Sequence, residues 1–109
     1  MPKIDKLDAY SFRTDLKLPE LLGHLNQNGP WRWMERDSDY YGDYISCLGC
    51  PKGARVKIFQ EKGKYVLNIR FKSETLNAAA EFETLHRQLF ERVLPSVGAR
   101  EIKPAEGYS

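Results

Sequence analysis

No stretch of the chain is apolar for long enough to form a helix that crosses a bilayer, so no membrane partner is expected. The opening Met-Pro-Lys-Ile-Asp-Lys-Leu-Asp has no apolar core of the kind a signal peptide needs, and the expected location is cytoplasmic. Histidine is scarce: His24 and His86 are the two present, and no Ser, His and acid fall together in a triad pattern or a G-x-S-x-G. There is no phosphate-cradling glycine loop, because Gly49, Gly53 and Gly63 precede strand-like segments instead of helices. Net charge is only +2, too small to imply a polyanionic partner by itself. These absences give no catalytic assignment and no cofactor, and the expectation is a non-enzymatic protein.

Cysteine is also sparse, with Cys47 and Cys50 forming a single C-x-x-C. Zinc takes four ligands, so His24 and His86 would have to complete a site, yet the two fall on different expected helices. A thioredoxin-type redox pair opens a helix whose N-terminus lowers the thiol pKa. Here Pro51-Lys52-Gly53 and then a strand follow, so the plainer reading is a small turn in a reducing compartment. A metal or redox role through Cys47 and Cys50 ranks third among the functional readings.

What is present describes one globular domain spanning 1–109, with 1–8 and 104–109 expected to be loose ends. At 109 residues the chain can bury roughly 65% of its extended surface, enough for one core without metal or disulfide support. Tyr10, Phe12, Thr14 and Leu16 alternate with Ser11, Arg13 and Asp15, which predicts a half-buried strand. Leu18, Leu21, Leu22 and Leu25 then make a short helical stripe, with Pro19 at its start and Asn28-Gly29-Pro30 as a left-handed stop.

Strands are expected at Trp31–Arg36 and Tyr44–Leu48, separated by the turn chemistry of Asp37-Ser38-Asp39. Arg55–Gln60 and Tyr65–Phe71 read as a hairpin closed by Glu61-Lys62-Gly63-Lys64. Ala78, Phe82, Leu85, Leu89 and Val93 recur at helical spacing, with Ser73 or Thr75 as cap and Pro95 and Gly98 as terminators. Ile102 anchors a last edge strand near Arg100–Lys103. The order β-α-β-β-β-β-α-β predicts an α+β fold, two helices on one face of a mainly antiparallel sheet of four to six strands. If the strands between the helices reduced to two, the order would match a ferredoxin-like variant. A fold used that widely carries no function with it.

Trp31 to Pro51 is the most unusual segment, holding both tryptophans, both cysteines and the acids Glu35, Asp37, Asp39 and Asp43. Asp37 to Asp43 imitates the start of an EF-hand loop, but the position that needs a bidentate Glu is Leu48, which sets calcium aside. Trp and Tyr supply stiff contact area and dominate interface hot spots. The leading expectation is therefore a protein-binding domain, of adaptor or inhibitor type, that engages a protein partner or itself. Its site residues would be Trp33, Asp37, Asp39, Tyr40, Tyr41 and Asp43.

The alternative is nucleic acid, bound by the basic segment 52–72. From Lys52 to Lys72 there are seven bases against the single acid Glu61. The candidates there are Arg55, Lys57, Phe59, Lys62, Lys64 and Arg70, with Phe59 on the outer face beside Arg55 and Lys57. The plainer reading is that the acidic and basic segments partly neutralise one another across a sheet.

Overall fold

Alternating side chains make six strands, and the computed structural model, which describes residues 4–40 and 42–105, joins them in one antiparallel sheet. In chain order the elements are β1 (Ile4–Arg13), α1 (Leu18–Asn28), β2 (Trp33–Ser38), β3 (Gly42–Cys47), β4 (Ala54–Glu61) and β5 (Lys64–Ser73). They are followed by α2 (Ala78–Gln88), α3 (Leu94–Ser96) and β6 (Arg100–Pro104). The sheet order is β2-β3-β4-β5-β1-β6, a four-strand meander extended by β1 and then β6. This is the α+β class expected from the sequence. Four strands lie between α1 and α2, so the two-strand condition for a ferredoxin-like order does not arise.

The core lies between one sheet face and the helices. Phe12, Trp33, Ile45, Val56, Ile58, Leu67, Ile69 and Phe71 come from the strands. Leu21 and Leu25 from α1 meet them, with Leu85, Leu89, Val93 and Leu94 from the second helical segment. The apolar stripes of both helices thus face the same way, and the described chain places no helix on the opposite sheet face. The Cα radius of gyration is 13.5 Å, close to the roughly 13 Å of a single compact domain of this length.

Several elements depart from the sequence pattern. Residues 4–8, expected to be loose, extend β1, pairing with β5 from Ile4 opposite Ser73 to Asp8 opposite Ile69. Backbone pairing needs only a partner edge, and the ten-residue β5 offers one along its whole length. At the other end Pro104 belongs to β6, and the Ala105 N–H donates to the Ala9 carbonyl at 2.9 Å. Positions 1–3 and 106–109 lie outside the described residues.

α1 runs to 11 residues instead of two turns. Its Gly29 is extended (φ −86°), not left-handed. Glycine is needed there for a different reason, since a Cβ would lie 2.7 Å from the Leu25 carbonyl oxygen. Asn77 flanks the start of α2, and the Ser73 and Thr75 hydroxyls donate instead to the Glu81 carboxylate. Pro95 does not stop the helix. The chain widens into a π-turn over Leu89–Val93 and makes one more turn beyond it. Proline removes a backbone donor and crowds the preceding turn, and a wider turn just before it absorbs that change.

Gly53 joins the Cys47–Pro51 loop to β4 at φ +89°, and a Cβ there would collide with the Lys72 carbonyl oxygen. Both the backbone region and the close approach require glycine. Gly53→Ala is expected to lower stability by about 1–3 kcal/mol from backbone strain alone. Equilibrium denaturation measures this, and an unchanged midpoint would show that the close approach does not exist.

Candidate functional site

Successive residues of a strand point to opposite faces, so the register determines which charges share a surface. Tyr44 lies opposite Phe59, Ser46 opposite Lys57, and Arg36 opposite Tyr44. Arg55 lies opposite Arg70, and Lys57 opposite Asn68. All of these belong to the helix-free face, because their strand neighbours Ile45, Val56, Ile58, Leu67 and Ile69 fill the core. The result is a surface carrying Arg36, Arg55, Lys57, Arg70 and Lys72. Arg36, Arg55, Arg70 and Lys72 form no ion pair among the described residues.

Two shallow depressions of about 350 and 410 Å³ meet at Arg55. The first is bordered by Arg36, Tyr44 and Lys57, the second by Arg70 and Lys72. Tyr44 is half-buried and stacks on Phe59, with ring centroids 5.1 Å apart and planes at 27°. The Lys57 ammonium sits 5.6 Å from the Tyr44 ring centre, within cation–π range. The small side chains Ala9, Ser11 and Asn68 are buried on this same face.

The carboxylates of the β2–β3 hairpin leave on the other side, while Asp5 of β1 stands opposite Lys72 on the helix-free face. Glu35 is paired with the core residue Ile45, and Asp37 with Asp43, so all three side chains leave the sheet on the helix-bearing side. There Glu35 and Asp43 line a cleft with Asp15 and Lys17 at the start of α1. The expected neutralisation of the acidic segment by the basic one across the sheet therefore does not happen. The two segments present their charges on opposite faces.

Of the residues proposed to bind nucleic acid, the fold brings Arg55, Lys57 and Arg70 together. Phe59 is on the expected face but only 4% exposed, so it supports Tyr44 and offers no ring to a ligand. Lys62 and Lys64 sit at the β4–β5 turn, and Lys64 lies opposite Glu61, six residues and about 20 Å along β4 from Arg55. Lys64 also pairs with Glu61 at 3.8 Å. Sequence reasoning misses Arg36, which reads as the lone base of an acidic run, and Lys72, which stands at the end of the basic segment. The β2–β3–β4–β5 register is the signal that finds both.

The aromatic–acidic residues do not make one surface. Trp33 is 4% exposed and lies beside Trp31, ring centroids 6.2 Å apart, so it belongs to the core and is no interface anchor. Its backbone is fixed by Asn26 of α1, whose Nδ2 donates to the Trp33 carbonyl at 3.0 Å while its Oδ1 accepts the Trp33 N–H at 2.7 Å. Asp37, Asp39 and Asp43 are exposed. Tyr40 is 92% exposed at the β2–β3 turn, and Tyr41 lies outside the described residues.

His24 is exposed on α1, whereas His86 on α2 shares a 3.1 Å hydrogen bond with the Tyr10 hydroxyl and stacks on Phe90. Burial, with Asp8 nearby, holds the Tyr10 pKa above its ordinary value. Among the described residues no three or more His, Cys, Asp or Glu side chains gather as metal ligands. No protein-family model matches the chain, and no curated protein matches it either.

Proposed function

We propose that the protein binds single-stranded nucleic acid across the helix-free face of its sheet. The reading is supported above all by one observation: strand parity collects Arg36, Arg55, Lys57, Arg70 and Lys72 on that face, with Glu35, Asp37 and Asp43 of the neighbouring hairpin on the other and Asp5 of β1 opposite Lys72 at its margin. Guanidinium groups suit phosphate because they donate two parallel hydrogen bonds. The half-buried Tyr44 adds a ring at the centre of the basic surface. A broad sheet face with bases around a ring suits splayed single strands better than the groove of a duplex.

Anisotropy of short labelled RNA and DNA single strands tests the reading. Five phosphate contacts at a slope of about 0.7 each imply an affinity loss on the order of 100-fold between 50 and 200 mM salt. No binding to either strand at low salt, or binding that salt does not weaken, would remove the proposal.

A second reading is favoured by Tyr40, whose ring stands out at the hairpin tip between exposed acids. This tip would engage a basic protein surface, with the acids steering the encounter. It places the contact on Asp37, Asp39, Tyr40 and Asp43 and omits Trp33.

A further inference from the structure

A cavity of about 790 Å³, larger than either depression of the basic face, opens where β4 begins and β5 ends. Lys52, Gly53 and Lys72 line it, together with Glu74 and the α2 residue Glu81. Gly53 and Lys72 also border the depression that holds Arg55 and Arg70, so the two spaces adjoin. Gly53 puts no side chain between them. The basic face therefore continues from Arg55 past Lys72 into this cavity. Lys52, like Lys72, forms no ion pair among the described residues.

The sign of the charge changes inside the cavity. The Ser73 hydroxyl donates to Glu81 Oε1 at 3.3 Å, and the Thr75 hydroxyl donates to the same oxygen, so the carboxylate is held in place. Among the described residues no hydrogen bond or ion pair uses its second oxygen, Oε2. Glu74 lines the same space, and Asp5 stands opposite Lys72. Phosphates are drawn along the face as far as Lys72 and Lys52 and are repelled beyond them. The path suits the end of a strand, not its continuation.

We propose that this cavity binds the 3′-terminal nucleotide of single-stranded RNA, with Glu81 accepting hydrogen bonds from the 2′- and 3′-hydroxyls and Lys52 and Lys72 meeting its phosphate. The proposal rests on the reading of the open face as a single-strand surface, and adds to it an end and a sugar. The 3′-terminal ribose is the one sugar of an RNA strand with two adjacent free hydroxyls. An ionised carboxylate only accepts hydrogen bonds and has lone pairs for both, and such charge-assisted bonds are the strong ones. The 2′-hydroxyl is also what separates RNA from DNA at a given site. The volume lies within the roughly 300–1,000 Å³ of ordinary ligand pockets, room for one nucleotide.

The test titrates the full chain into three 5′-labelled RNA single strands of one sequence. They end in the natural diol, in a 2′,3′-dideoxy sugar or in a 3′-phosphate. Anisotropy at low salt is expected to rank them in that order, the dideoxy strand about tenfold or more weaker than the diol. The 3′-phosphate strand should be weaker still, because it sets a negative charge against Glu74 and Glu81. E81A, its fold checked by thermal melting, should bind the diol and dideoxy strands with nearly equal affinity and regain affinity for the 3′-phosphate. Equal affinity of the wild-type chain for all three, or tighter binding of the 3′-phosphate, would overturn the end site and leave the open face standing. Binding of none would overturn both. Discrimination that survives in E81A would overturn the assignment to Glu81.

Discussion

Arg55→Glu is expected to weaken single-strand binding on the order of 100-fold while raising stability slightly. The substitution removes one phosphate contact and sets a carboxylate opposite Arg70, occupying a second base. Charge-assisted hydrogen bonds contribute roughly 1.5–3 kcal/mol each, and about 1.4 kcal/mol is a factor of ten, which gives the estimate for two contacts. The salt slope should fall by roughly 1.4, two contacts at about 0.7 each. Stability moves the other way, because Arg55 and Arg70 now stand directly opposite as like charges on exposed strand positions. An opposite-charge pair there is worth about 0.2–1 kcal/mol. Titration and thermal melting of the same variant measure both quantities. Unchanged affinity would remove the open face as the binding surface. A lowered melting temperature with lost affinity would mean that Arg55 holds the fold.

Trp33→Ala should lower stability by about 3–5 kcal/mol, a large part of the roughly 5–15 kcal/mol that holds a domain of this kind together. The indole is enclosed beside Trp31, next to the α1 residue Asn26 that binds its backbone, and no small side chain could refill that volume. Tyr40→Ala, at the other end of the same hairpin, should change stability by no more than about 0.5 kcal/mol. Its ring is 92% exposed, and its backbone N–H donates to the Ser38 hydroxyl at 3.1 Å. Denaturant titration of the two variants separates a core tryptophan from a surface tyrosine. Similar losses for both would contradict the burial of one and the exposure of the other. Tyr40→Ala also serves the second functional reading, because only a contact at the hairpin tip would weaken with it.

The opposing faces give the two functional readings a physical relation. A ligand attracted to Arg55 and Arg70 is repelled by the acids of the neighbouring hairpin, which leave the sheet on the other side. That separation limits a bound strand to the β2–β5 breadth of the open face, three inter-strand spacings or about 14 Å. It also explains how a chain of net charge +2 can present a strongly basic surface.

The amino-acid sequence by itself determined the class of the fold and most of its elements. Period-two alternation in Tyr65–Phe71 and helical spacing from Ala78 to Val93 are local patterns, and local patterns survive without knowledge of their partners. It was silent where the partner decides. Ile4 to Asp8 has no clear alternation and becomes strand because β5 is long enough to pair with it. Trp33 looked like an interface anchor because Trp is common at interfaces, yet the packing of α1 against β2 makes it core.

The site divides in the same way. Arg55, Lys57 and Arg70 were legible because they alternate with core residues inside one hairpin. Arg36 was hidden in an acidic run until the β2–β3 register turned it toward Tyr44 and Glu35 away from it. Only the tertiary structure put the two charges on opposite faces, since side-chain direction has period two and a one-residue change of register would have exchanged them.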